Sequence, residues 1–227
     1  MMQRILSVLI GLLLSVGSVL GQARTAPCNC PKTIYSDTKV KAASHLVNGK
    51  TIVLCGYKDT ETKPVSFVEF VLFVCGQQKI IGFWDAQTQC RLEVNKDTLL
   101  VNQITSLPVG KNFAYEATVW KIDKLYFSGN NVLQKQEVNP GFPVYCANRI
   151  ASVSSAFESA NGGLDEAKMT LADELFMATI SGSNQARKYL IKFKTKFGML
   201  DGHFVEEYDG LISMLKLWDQ KGSLQKQ

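Results

Sequence analysis

Glu137-Val138-Asn139-Pro140-Gly141-Phe142-Pro143 is where this chain changes its periodicity. Asn-Pro-Gly is a turn, and neither proline can donate a backbone hydrogen bond, so a strand ends here and no helix runs through. Upstream of the stretch apolar side chains recur at every second residue, and downstream at every third or fourth. The first period belongs to a strand with one buried face, the second to a helix burying one stripe. The expected fold is therefore α+β: an antiparallel β-sandwich or open barrel over residues 24–139, followed by a small helical bundle over residues 147–222.

Upstream, Asn48-Gly49 separates residues 42–47 from residues 50–57. Asn-Gly favours the type I′ turn, whose twist matches a two-residue hairpin. Residues 66–75 are apolar on both alternating faces, with Phe67, Val71 and Phe73 on one and Val68, Phe70, Leu72 and Val74 on the other, which predicts a central strand covered on both sides. Further strands are expected at 79–84, 90–94, 98–105, 113–121, 124–127 and 132–138. The alternation slips by one residue at Trp120, as it does at a β-bulge.

Downstream, four stripes predict four helices. Ile150, Val153 and Phe157 make the first, and Leu164, Ala167, Leu171, Leu175 and Ala178 the second. Ala186, Leu190, Phe193 and Phe197 make the third, and Phe204, Tyr208, Leu211, Leu215 and Trp218 the fourth. Ser183 and Asp201 are placed to cap the third and fourth helices.

The chain opens Met1-Met2-Gln3-Arg4, and residues 5–20 then carry no charge. A short basic region before an apolar one is the pattern of a signal peptide, here residues 1–23, removed after Gly21 or Ala23. The run is broken by Gly11, Ser15, Gly17 and Ser18 and falls short of the roughly 20 residues of a spanning helix. No later stretch is long and apolar enough to cross a bilayer, so no transmembrane segment is expected in the mature chain. The protein is expected to be exported to a periplasm, a cell surface or the extracellular space.

Six cysteines remain, Cys28, Cys30, Cys55, Cys75, Cys90 and Cys146. An even count in an exported chain makes all six disulfide candidates, with 15 possible complete pairings. Cys28 and Cys30 are too close in sequence to bridge each other comfortably, so each looks elsewhere. Their C-x-C spacing fits neither zinc pairs nor a redox C-x-x-C.

The net charge of +5 is unevenly placed. Residues 22–146 hold 14 Lys/Arg against 10 Asp/Glu, and residues 147–227 hold 10 of each. The excess is spread singly rather than gathered on one face, which argues against nucleic acid as a partner. Phosphate loops of the G-x-x-x-x-G-K-[ST] and G-x-G-x-x-G kinds are missing, as is G-x-S-x-G, and no cofactor is expected.

Few residues offer chemistry. His203 and Glu207 are four apart on the last helix and share a face, as two metal ligands would, but H-E-x-x-H is absent and a catalytic zinc needs a third protein ligand. Acidic residues at 201, 206, 207 and 209 also have a simpler role, offsetting the positive end of the helix dipole. His45 reads as a surface strand residue, and its neighbour Ser44 points to the opposite face. Trp84, Trp120, Tyr115 and Tyr126 raise the idea of a sugar-stacking platform, against the plainer role of aromatics packing on a pleated sheet. Lys188, Lys192 and Lys196, flanked by Arg187 and Lys194, make a basic stripe that reads as a solvated face steered toward the acidic helix beside it.

The leading functional expectation is a non-catalytic binding or interaction module of the cell envelope or extracellular space, with a protein or glycan partner. Sandwich domains of exported proteins often present loops for binding, although fold alone is a weak warrant. The alternative is a metal-dependent hydrolase using His203, Glu207 and nearby carboxylates. A structural or inhibitor protein that works by occupying its partner is the third possibility.

Overall fold

The computed structural model describes residues 28–30, 41–77 and 80–222. The expected signal segment, 1–23, lies outside the described residues. An antiparallel eight-stranded sheet is followed by helices, as the change of period at Pro140 predicts. The strands are β1 (Lys41–Val47), β2 (Lys50–Asp59), β3 (Ser66–Val74), β4 (Ile80–Trp84), β5 (Gln89–Asn95), β6 (Thr98–Leu107), β7 (Glu116–Ser128) and β8 (Asn131–Val138). They pair in the order β1-β2-β3-β5-β6-β7-β8, with β4 alongside β3. The sheet is continuous and curls until β1 lies against β5 and β6, a half-closed barrel.

The hairpin at Asn48-Gly49 forms as expected, both residues having positive φ (48° and 72°), and Val47 pairs with Lys50. Strand β3 is covered on both faces. Its Phe70 and Leu72 join Ile52, Leu54, Leu99, Val101 and Leu125 in the core enclosed by the curl. Val71 and Phe73 point the other way, with Val53 and Cys55. The alternation expected along β3 breaks at Glu69, whose φ of 46° makes it the extra residue of a bulge. Phe67 is thereby turned into the same core as Phe70, contrary to the plain alternation.

The outer face of β2 and β3 is sealed by Cys28 and Cys30, which pair with Cys75 and Cys55. The other two candidates are free thiols. Cys90 points into the core enclosed by the sheet, away from the face that Cys28 and Cys30 cover, and burial pushes its thiol up. Cys146 is exposed just before the first helix.

The two strands expected at 113–121 and 124–127 are one, β7, and the slip expected at Trp120 is a bulge. Gln103 pairs with Lys121 and Ile104 with Val119, leaving Trp120 as the extra residue. Trp120 packs on the helical core while Leu125 of the same strand lies in the barrel core, so β7 serves both.

The helices are α1 (Ala147–Ser159), α2 (Asp165–Ile180), α3 (Asn184–Ile191), α4 (Phe193–Phe197) and α5 (His203–Leu217). The expected third helix is broken at Lys192 into α3 and α4. Ser183 caps α3, its side chain accepting the Ala186 N–H at 3.1 Å. Asp201 does not cap α5 with its side chain; its backbone carbonyl accepts the Phe204 N–H instead. The helical core takes in Leu107 at the end of β6, with Phe142 and Tyr145, so sheet and helices meet around the β6–β7 loop.

Candidate functional site

The residues singled out from sequence scatter. His203 Nε2 lies 3.9 Å from Glu207 Oε1 on the exposed side of α5, the side chains being 68% and 53% accessible. Among the described residues no group of three metal-ligating side chains exists to complete that pair. His45 is not the surface residue expected. It pairs with Ile52 on the inward side of β1, its Nε2 is buried without a hydrogen-bond partner, and desolvation lowers its proton affinity.

The four aromatics form no platform. Trp84 is only 5% exposed and stacks on Phe70 with centroids 4.9 Å apart. Trp120 packs on the helical core, Tyr115 bonds to Asp173, and Tyr126 stands exposed on β7. The basic stripe is partly spent on the acidic helix beside it. Lys194 pairs with Asp209 at 2.7 Å, Arg187 holds Asp219 through two bonds, and Lys196 caps the carbonyls of Phe157 and Glu158.

Two carboxylates that the sequence did not single out organise the polar chemistry instead. The first, Asp123, follows Lys121 and precedes Leu125 on the inward face of β7. It is 1% exposed. Its Oδ2 accepts Gln103 Nε2 of β6 at 2.7 Å and Trp84 Nε1 of β4 at 3.4 Å, and its Oδ1 accepts Gln136 Nε2 of β8 at 2.9 Å. One side chain thus ties four strands together across the place where β4 stands apart from β7. Gly82 makes room for this, since a Cβ there would come 2.8 Å from the folded-back Trp84 ring.

A cavity of about 310 Å³ opens over this network. Its lining includes Gln103, Gln134, Gln136, Asp85, Asp123, Thr88 and Lys121, with Gly82, Phe83 and Trp84 of β4 along one side. A carboxylate offers about four acceptor positions, so three donors leave one on Oδ1. Asp85 is held by its own turn, accepting the Thr88 hydroxyl at 2.7 Å and the Gln87 N–H at 3.1 Å.

The second carboxylate, Asp173 on α2, sits at the junction of sheet and helices. Its Oδ2 accepts the Tyr115 hydroxyl at 2.6 Å. Burial, more than any neighbour, pushes this carboxyl up to about 7, with Glu207 and Glu174 adding repulsion and the Tyr115 bond opposing it. Glu174 is also raised by burial, against the pull of Arg149. Arg149 itself lies 4.0 Å from the rings of both Phe113 and Tyr145, and it donates to the carbonyls of Pro108 (2.6 Å) and Gly110 (3.0 Å).

A signal for Asp123 was present in the sequence: a charge at a position whose strand neighbour two residues on, Leu125, faces the core. Its partners lie 13 to 39 residues away and could not be read from spacing. Asp173 sits between the apolar residues of a strong helical stripe, and nothing local sets it apart. Comparison with family models, with curated proteins and with solved structures finds no match for this chain.

Proposed function

We propose that the protein is an exported, non-catalytic binding module that takes a neutral, hydroxyl-rich ligand of the glycan type in the cavity over Asp123. The observation carrying this reading is the donor set of that cavity. Side-chain amides both donate and accept, Thr88 does the same, and Asp123 keeps an acceptor position on a carboxylate already held still by three donors. Sugar hydroxyls, which donate and accept at once, match such a wall. Small-ligand sites have this character, with a few fixed polar groups converging in a concave surface.

Export is supported by the two disulfides, since such bonds persist in oxidising compartments. Among the described residues no helix is long and apolar enough to cross a membrane. The metal-dependent hydrolase gains no support from His203, which stands in water with a single carboxylate beside it.

The test is calorimetric titration of the mature chain with a panel of soluble oligosaccharides. At least one should bind, and Gln134→Ala, which removes a wall amide with no bond in the Asp123 network, should weaken it about tenfold. The reading fails if no saccharide in the panel binds, or if the variant binds as tightly as the wild type.

A further inference from the structure

The cavity over Asp123 does not end at Gly82. A second cavity, of about 370 Å³, continues it along the same two strands. Gln134 of β8 lines both, and on β4 the residues follow directly: Ile80 and Ile81 belong to the second cavity, Gly82, Phe83 and Trp84 to the first. Strand β4 pairs with β3 and β8 with β7, and neither pairs with the other, so the two cavities are compartments of one groove in the gap of the half-closed barrel. At the rise of a strand, the β4 wall from Ile80 to Trp84 is about 13 Å long, more than one sugar ring needs. The far compartment is also held in place. Lys50 of β2 donates to the Gly129 carbonyl at 2.6 Å and to Asn130 Oδ1 at 3.0 Å, which fastens the turn that leads into the β8 wall.

Resting on the glycan reading of the Asp123 cavity, we propose that the ligand is a linear chain of neutral sugar units lying along β4 and β8, gripped at one end by the Asp123 network and passing its further units between Ile80 and Asn131. The far compartment offers what such a chain presents. Its lining sets the amides of Gln77, Asn131 and Gln134 among the aliphatic side chains of Ile80, Ile81 and Leu133, with no charged side chain among the described residues. Sugar rings carry hydroxyls around their edges and C–H groups on their faces, so amides meet the first and aliphatic side chains the second. Gln77 and Asn131 are exposed, and their side-chain amides hold no partner among the described residues, so both are open to a ligand. A single ring held over Asp123 would leave them unused.

Calorimetric titration of the mature chain with neutral saccharide series, each running from the single sugar to chains longer than the groove, tests this. Within a series that binds, affinity should climb about tenfold as units are added and level off once the groove is filled. Asn131→Ala should weaken the longest chains about tenfold and leave the shortest binding member unchanged, whereas Gln134→Ala, whose side chain lines both compartments, should weaken short and long alike. In NMR spectra of the wild type the side-chain amide signals of Gln77 and Asn131 should shift with long chains and stay still with short ones, a readout that needs no variant. Absence of binding at every length sinks the glycan reading itself and the groove with it. Affinity that is the same at every length, an Asn131→Ala effect as large on the shortest member as on the longest, or Gln77 and Asn131 signals unmoved by bound long chains would overturn the groove alone and leave the Asp123 cavity standing.

Discussion

Asp123 in the sheet is fully buried and Asp173 at the edge of the helical half is partly so, and they are held in opposite ways. Asp123 has three neutral donors drawn from three other strands; Asp173 has one donor and two carboxylates for company. The sheet half is also locked covalently by Cys28–Cys75 and Cys30–Cys55, whereas the only cysteine of the helical half, Cys146, is free. The difference teaches that burial alone does not decide what a carboxylate does. The number of donors brought to it does: with three its charge is met by fixed partners, and with one, beside two other carboxylates, its proton is held more tightly.

The comparison can be broken hardest at Asp123. Replacing it with alanine strands the Trp84 indole and the Gln103 and Gln136 amides without their acceptor, and at about 1–3 kcal/mol for each unsatisfied buried group, discounted for their partial exposure, the loss should be about 4 kcal/mol. Urea unfolding should show it as a lower midpoint with an unchanged slope. A loss under about 1 kcal/mol would mean the network is not structural. Next, Cys30→Ser with Cys55→Ser opens a bridge spanning 25 residues and should cost about 3 kcal/mol, read the same way. The smallest effect belongs to the helical half: Ser183→Ala removes the α3 cap bond and should cost about 1 kcal/mol, visible as a modest fall in melting temperature.

Much of the fold was legible because side-chain period reports which face of an element is buried. The doubly covered β3 and the bulge at Trp120 follow from that rule, and the turn at Pro140 and the Asn48-Gly49 hairpin from the backbone preferences of their own residues. What the period does not report is a local conformation imposed from outside the element. Glu69 takes a left-handed φ and shifts Phe67 to the other face, and Lys192 interrupts a stripe that reads as unbroken from Ala186 to Phe197.

Sites were harder still, because they are made by partners remote in sequence. His203 stands out in the sequence for its residue type, and the helix turns that side chain to solvent. Taken singly, Gln103 and Gln136 carry no signal, and Asp123 carries only that of a charge at an inward-facing position. They become a network only through the pairing of β6 with β7 and of β7 with β8.

The contrast between the two carboxylates is tested most directly by measuring unfolding free energy from pH 4 to pH 8 for the wild type and Asp173→Asn. Below about pH 4 both folded and unfolded chains hold the Asp173 proton. As pH rises the unfolded chain gives it up first, so the stability this carboxyl contributes is lost progressively until about pH 7, where the folded chain also ionises. The wild type should therefore lose about 1–3 kcal/mol over that interval that the asparagine variant keeps. Two curves that run parallel across the whole range would contradict the account.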